Sequence, residues 1–128
     1  MDNLQIIGAN DVGLISITNS NAHLANTTLN GGVSIQEYPT CGSPGCGTGY
    51  GVSVANSNLN LSNSTIKNIA RGPALYLSNS TASLEAVTFE GSKIGLQAVG
   101  VNNISTSSLI FLNNAQDTDP ADLLGSGP

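Results

Sequence analysis

Short runs of alternating apolar and polar residues fill most of the chain. In residues 15–30, ISITNSNAHLANTTLN, apolar side chains occupy every second position on both sides of an Asn-Ser pair. A period of two is that of a β-strand, whose successive side chains point to opposite faces. The odd step from Ile17 to Ala22 would place these residues on opposite faces of one straight strand. We therefore predict a corner at Asn19-Ser20 between two short strands.

The same pattern occurs three times. Residues 52–67 (VSVANSNLNLSNSTIK) and 75–90 (LYLSNSTASLEAVTFE) match residues 15–30 without a gap. The second and third copies begin 23 residues apart, and the first and second begin 37 apart. Short strands and corners at this period are typical of a solenoid. We predict an all-β fold, a right-handed single-stranded parallel β-helix of about four coils of 22–23 residues. A sandwich, a leucine-rich repeat and a helical repeat do not account for the pattern.

Stacking of the coils predicts columns of core residues. A fourth coil spans residues 95–112, and residues 3–9 are interpreted as the last strand of an earlier coil, with Ile7 above Leu29. In the fourth coil, Ile104 fits a position above either Ala82 or Leu84. The predicted columns are Ile15/Val52/Leu75, Ile17/Val54/Leu77 and Leu29/Ile66/Phe89/Phe111.

The repeat also sets the domain organisation. We predict one β-helix domain over residues 1–128, as a piece of a longer solenoid, with a loop inserted at 36–50 and a polar tail or cap at 113–128. No signal peptide is present, which carries little weight for such a piece. Unpaired strand edges at open ends favour end-to-end self-association.

Polar residues recur at the predicted corners. Asn19, Asn56 and Asn79 would stack about 4.8 Å apart and form a structural ladder of side-chain amides. The serine that follows each of them is expected to satisfy corner backbone groups. Thr28, Thr65 and Thr88 form a row that Ile110 ends, and this row is only one threonine wide. An ice-binding solenoid would need a wider row, so it is a remote alternative.

The inserted loop carries the most distinctive residues. Cys41 and Cys46 enclose Gly-Ser-Pro-Gly. This spacing favours a local disulfide in an exported protein and leaves free thiols as the alternative. A metal site is not predicted, because a second pair of ligands is missing. Tyr38 and Tyr50 at the loop ends, with Arg71, are candidate ligand-binding residues.

Composition excludes several functions. Three basic residues against eight acidic ones give a net charge of −5, which disfavours nucleic acid as a partner. No apolar run is long enough to span a membrane. No cofactor and no catalytic residue is predicted, because Glu85 and Glu90 have no carboxylate at the same register in a neighbouring coil. Asp117, Asp119 and Asp122 are interpreted as part of a polar capping turn rather than a calcium site.

The stretch from Tyr38 to Leu112 resembles the bacterial right-handed parallel β-helix repeats of large exported proteins. The segments GPALYLSNSTASLEAVTFEG and SSLIFLNNAQ look like the glycine-aliphatic and Phe-x-x-Asn signatures of polymorphic outer-membrane adhesins. The order TCGSPGC, GYGVSV and IGLQAVGV looks like β-helix lipoproteins of myxobacteria-like organisms. This resemblance implies an exported protein located outside the cell or at its surface.

Two function classes follow from the sequence. The first is a non-enzymatic module that acts as a rigid spacer or as an adhesion surface for a polysaccharide or protein. The second is part of a polysaccharide lyase or hydrolase of the β-helix type. Outward-facing carboxylates in adjacent coils beside Arg71 or Lys93 would favour the enzyme. An uninterrupted Asn/Ser/Thr surface would favour the first class.

Overall fold

The computed structural model describes residues 5–7, 15–33, 50–70, 72–100 and 103–119. Within these ranges the regular structure consists of β-strands alone. The strands are β1 (Gln5–Ile7), β2 (Ile15–Thr18), β3 (Asn21–Ala25), β4 (Thr28–Val33), β5 (Val52–Ala55), β6 (Asn58–Ile69), β7 (Pro73–Ser78), β8 (Thr81–Glu90), β9 (Ile94–Val99), β10 (Asn103–Ser107), β11 (Ile110–Leu112) and β12 (Gln116–Asp119).

The strands form two sheets in which every described pairing is parallel. One sheet has five strands in the order β12-β9-β7-β5-β2. The other has seven, in the order β1-β4-β6-β8-β10, with β3 also paired to β6 and β11 also paired to β8. We call one passage of the chain through the five-stranded and then the seven-stranded sheet a rung. Each rung pairs with the next one along the chain, so the predicted all-β, parallel repeat is confirmed.

The register of the sheets confirms the predicted core columns. Val52 lies between Ile15 and Leu75, and Ile66 lies between Leu29 and Phe89. At two positions the register adds to the sequence interpretation: it corrects one predicted pairing and decides another that was left open. Leu29 pairs with Ile6, so the predicted placement of Ile7 above Leu29 was wrong by one residue. Ile104 pairs with Ala82, which decides between the two registers left open for it.

The core is a stack of aliphatic side chains with one aromatic pair. Leucine, isoleucine and valine side chains from the central rungs are fully buried, and burial of each contributes roughly 1.5–3 kcal/mol. Phe89 is also fully buried, and its ring stacks on that of Phe111 with centroids 5.4 Å apart. A rung alone could not bury these side chains, so stability comes from contacts between neighbouring rungs.

Three corners per rung are built from residues with positive φ. Residues other than Gly, Asn and Asp are disfavoured in the left-handed region, and asparagine is the commonest residue at these corners. The first corner has φ of 50–51° at its three asparagines and 84° at a glycine, and the other corners have φ of 48–66°. The corner residues are Asn19, Asn56, Asn79 and Gly100 at the first corner; Asn26, Asn63, Ala86 and Ser108 at the second; and Asn68, Gly91 and Asn113 at the third.

The hydroxyl group that follows a corner residue connects two rungs. The backbone N–H of Ser20 donates to Ser57 Oγ at 3.0 Å, and that of Ser57 donates to Ser80 Oγ at 3.2 Å. Each of these hydroxyls also donates to the carbonyl two residues before it. The second corner repeats this arrangement from Thr27 to Ser64. The prediction that the corner serines satisfy backbone groups is confirmed.

Candidate functional site

The outer side of β3, β10 and the paired parts of β6 and β8 is a polar surface. We call this surface the amide face and define it by three columns of residues that the strand register aligns across four rungs. Most of these side chains are exposed. The columns are Asn21/Asn58/Thr81/Asn103, His23/Asn60/Ser83/Ser105 and Ala25/Ser62/Glu85/Ser107.

The residues between these positions explain why the columns face outward. Leu24, Leu61 and Leu84 alternate with them along the strands and are buried in the core. Since successive strand residues point to opposite sides, the polar residues must face solvent. Strands of a sheet lie about 4.8 Å apart, so each column presents one polar group at that interval.

Two depressions lie on and beside the amide face. The larger, about 540 Å³, runs along the first corner and is bounded by Asn19, Ser20, Asn21 and their equivalents in the next two rungs. The smaller, about 240 Å³, is lined by His23, Asn60, Leu61, Ser62, Ser83 and Glu85. The larger depression is lined by amide and hydroxyl side chains alone, which can donate as well as accept hydrogen bonds.

Hydrogen bonds between side-chain amides order part of this surface. Asn58 Nδ2 donates to Asn21 Oδ1 at 2.7 Å, across two adjacent strands of the amide face. At the third corner, Asn68 Nδ2 donates to Asn30 Oδ1 at 2.8 Å. On the amide face, the side chains of Asn21 and Asn58 are therefore held in place before a ligand arrives, which reduces the entropy lost on binding.

The predicted asparagine ladder lies at the edge of the larger depression. Asn19, Asn56 and Asn79 occupy equivalent positions after paired strands, as the repeat predicted. In the next rung this position is Gly100, where a Cβ atom would collide with the Asn79 amide. The side-chain amide of Asn79 thus packs against the backbone of the following rung at Gly100. A continuous ladder of amide hydrogen bonds through the three asparagines stays a prediction.

Most of the candidate binding and disulfide residues predicted in and near the inserted loop are not among the described residues. Tyr38, Cys41, Cys46 and Arg71 lie outside the described residues. Tyr50 is half-buried and precedes Gly51, where a Cβ atom would meet the Ala74 carbonyl oxygen and the Ile66 side chain. The possible disulfide and the ligand-binding role of these side chains stay predictions.

The two glutamates in the described ranges are separated from each other, whereas Asp117 and Asp119 lie two residues apart on β12. Glu85 pairs with Ser62 on one side and Ser107 on the other. Glu90 pairs with Lys67 and Leu112. Within the part of the chain that the structure describes, no carboxylate faces another on a neighbouring strand, and no three His, Cys, Asp or Glu side chains are grouped to hold a metal ion. The arrangement suits hydrogen bonding to a neutral ligand.

The threonine row is as narrow as the sequence predicted. Thr65 pairs with Thr28 and Thr88, and Ile110 follows Thr88 in the same column. The next outward column contains Asn30, Lys67, Glu90 and Leu112. These side chains differ in length and charge, so they do not extend the row into a flat, regular surface.

The amide face was not singled out from the sequence, although the repeat contained a signal for it. Its columns are the polar positions that alternate with the aligned leucines, in NAHLA, NLNLS and TASLE.

Among the described residues there is no helix with the length and apolarity needed to cross a membrane. Comparison of the chain with protein-family models, curated proteins and solved structures found no match.

Proposed function

We propose that the protein is a non-enzymatic module of an exported, cell-surface or secreted protein, and that its amide face binds a neutral polysaccharide. The observation that carries this proposal is the alignment of amide and hydroxyl side chains in three columns across four rungs. A rigid, extended and largely uncharged surface of this kind serves adhesion, and the same stack of rungs can serve as a spacer.

The proposal includes a right-handed parallel β-helix as the scaffold. Its support is the parallel pairing of each rung with the next, together with the strong general preference of parallel crossover connections for the right hand. A helix of this kind keeps the outward columns straight and equally spaced. Circular dichroism would check the strand content, and an experimental structure would check the hand.

The chemistry of the face matches that of a sugar chain. Sugar hydroxyls donate and accept hydrogen bonds, as amides and serine and threonine hydroxyls do. The columns offer such groups at about 4.8 Å intervals, so an extended chain lying along a column could contact several rungs at once. Repeated weak contacts along one chain add up in affinity when the geometry permits them simultaneously. The net charge of −5 disfavours an acidic polysaccharide.

A binding and cleavage screen tests this function. The protein is titrated with neutral and acidic polysaccharides, and both saturable binding and new chain ends are measured. We expect binding to a neutral polysaccharide without cleavage. Replacing Asn60→Ala together with Ser83→Ala removes the centre of the amide face. This should weaken binding about tenfold, since each neutral hydrogen bond contributes about 0.5–1.5 kcal/mol.

Two controls locate the site. The variant Ser16→Ala with Ser53→Ala changes the outer side of the five-stranded sheet and should bind as the parent does. A variant with residues 36–50 replaced by a Gly-Ser linker separates the amide face from the inserted loop. Binding lost only in the loop variant would contradict a site on the amide face, and new chain ends would contradict a non-enzymatic module.

A further inference from the structure

Within the ranges that the structure describes, strand edges are left unpaired at both ends of the stack. Among the described residues, no strand pairs with the outer edges of β2 and β3 at the N-terminal end, or with those of β10, β11 and β12 at the C-terminal end. Open edges of this kind are sites at which another chain can add hydrogen-bonded strands.

Core positions are incompletely buried at these same ends. Ile15 and Ala22, in the first complete rung, are half-buried, whereas Val52 and Leu59 at the equivalent positions one rung later are fully buried. In the last complete rung the half-buried core residues are Ala98, Ile104, Leu109 and Phe111. In the described part of the chain, no complete neighbouring rung covers these positions as it covers their equivalents in the centre.

The last complete rung also exposes apolar residues on its outer side. Val99, Ile110 and Leu112 are 49%, 50% and 44% exposed, and they are the large exposed hydrophobic residues of the described chain. In the rung before it, the columns of Ile110 and Leu112 hold the polar residues Thr88 and Glu90. The apolar surface is therefore concentrated at the C-terminal end.

The two ends are shaped as complementary steps. At the N-terminal end, β1 extends the seven-stranded sheet by one strand beyond β4. At the C-terminal end, β12 extends the five-stranded sheet by one strand beyond β9. If a second copy is shifted along the stack by five rungs, this single shift places its β2 beside β12 of the first copy and its β1 beside β11. The joint leaves one strand position open between β10 and β3 of the second copy.

The hydrogen-bond pattern makes the contact between two copies directional, because the two ends of the stack present different groups. At the corners the backbone N–H of one rung donates to the hydroxyl of the next, as in Ser20 to Ser57 and Thr27 to Ser64. All strands are parallel, so the two ends of the stack are different surfaces. A head-to-tail contact continues the parallel pairing and this direction, whereas a contact between two identical ends reverses the strands.

We propose that the protein associates head-to-tail through β11 and β12 of one copy and β1 and β2 of the next. The second copy is related to the first by a shift along the stack axis, so this contact between two different surfaces does not close into a ring, and the product is a linear polymer. Its axial repeat is five rungs, or about 24 Å. Two core columns end in threonine at the C-terminal end, at Thr106 and Thr118, which limits the apolar area of the contact and so weakens the association. This inference does not rest on carbohydrate binding.

Sedimentation velocity over a wide range of concentrations tests the proposal. We expect the average mass of the parent protein to rise with concentration from 12.9 kDa to beyond that of a dimer. Ile110→Lys with Leu112→Lys places two charges beside the C-terminal edge and should return the mass to that of the monomer. The matched control, Thr88→Lys with Glu90→Lys, changes the same two columns one rung inward and should still associate.

A mixing experiment tests the direction. Ile15→Lys puts an inward-pointing charge at the N-terminal edge and should also give a monomer, with its fold checked by thermal unfolding. Mixed in equal amounts, the two end variants should form dimers and nothing larger, because each retains one intact end. A parent protein that stays monomeric at all concentrations, or that stops at a dimer, would overturn the proposal. So would an equal loss of association in the control variant.

Discussion

At the scale of single residues, one hydroxyl serves two purposes at the first corner. Ser57 Oγ donates to the Ala55 carbonyl within its own rung at 2.7 Å and accepts the backbone N–H of Ser20 in the previous rung. A hydroxyl carries one donor and two acceptor positions, so it can make both bonds at once. Asparagine before it adopts the left-handed conformation at little cost. The Asn-Ser pair is thus a complete corner in two residues.

Loss of the Ser57 hydroxyl should destabilise the fold. Ser57→Ala leaves the Ser20 N–H and the Ala55 carbonyl without this partner, and should lower the free energy of unfolding by roughly 1–3 kcal/mol. Chemical denaturation measures the change. Ser53→Ala, on the outer side of β5, should alter stability by no more than about 0.5 kcal/mol. Equal losses in both variants would contradict a special role for the corner hydroxyl.

At the scale of elements, two long strands continue across a corner. β6 runs through the second corner of its rung at Asn63, where φ is 48°. β8 runs through the equivalent corner of the next rung at Ala86, where φ is 53°. Asparagine suits this conformation, while the Cβ atom of alanine crowds the neighbouring carbonyl oxygen. The corner of β8 is therefore the weaker of the two, although the strand register is kept through it.

Relief of this crowding should stabilise the protein. We expect Ala86→Gly to raise the free energy of unfolding by about 1 kcal/mol, and Ala86→Asn to raise it by a smaller amount. Thermal or chemical unfolding measures both. The control, Ala55→Gly in the extended part of β5, should lower stability by roughly 0.5–1 kcal/mol, because glycine loses more backbone entropy in a strand. A loss of stability in Ala86→Gly would show that the corner is not strained.

At the scale of the whole molecule, stability varies along the stack. The central rungs, built from β5 to β8, have neighbours on both sides, and their core side chains are fully buried. Beyond the first and last complete rungs the described residues supply only one strand each, β1 on β4 and β12 on β9. In a linear repeat each rung is stabilised by the rungs next to it, so the ends open more easily than the centre.

Amide hydrogen exchange should report this gradient. We expect the slowest exchange in β6, β7 and β8, and the fastest among the described strands in β10, β11 and β12. Mass spectrometry of peptic peptides resolves these segments. Protection of β11 and β12 should increase at high protein concentration, as head-to-tail association covers their edges. Equal protection from end to end would contradict stepwise stabilisation along the stack.

The sequence by itself determined the repeat, the strand class and most of the register. The period of two and the repeated Asn-Ser pair fix which residues face inward, so the columns through Val52 and Ile66 follow from the order of residues alone. Where two adjacent residues are both apolar, as at Ile6 and Ile7, the pattern fits two registers, and only the pairing of Gln5 with Thr28 separated them.

The tertiary structure alone decided the amide face and the backbone conformation of a corner such as that at Ala86. Positive φ at Ala86 follows from closing one rung onto the next, because the local preference of alanine is against this conformation. The alignment of Asn60 with Ser83 needed the pairing of whole strands. Outward positions accept any polar side chain, so the repeat identifies them as polar without indicating which side chains form a binding surface. Burial strongly constrains the inward residues, and this is why the sequence reveals the core more readily than the surface.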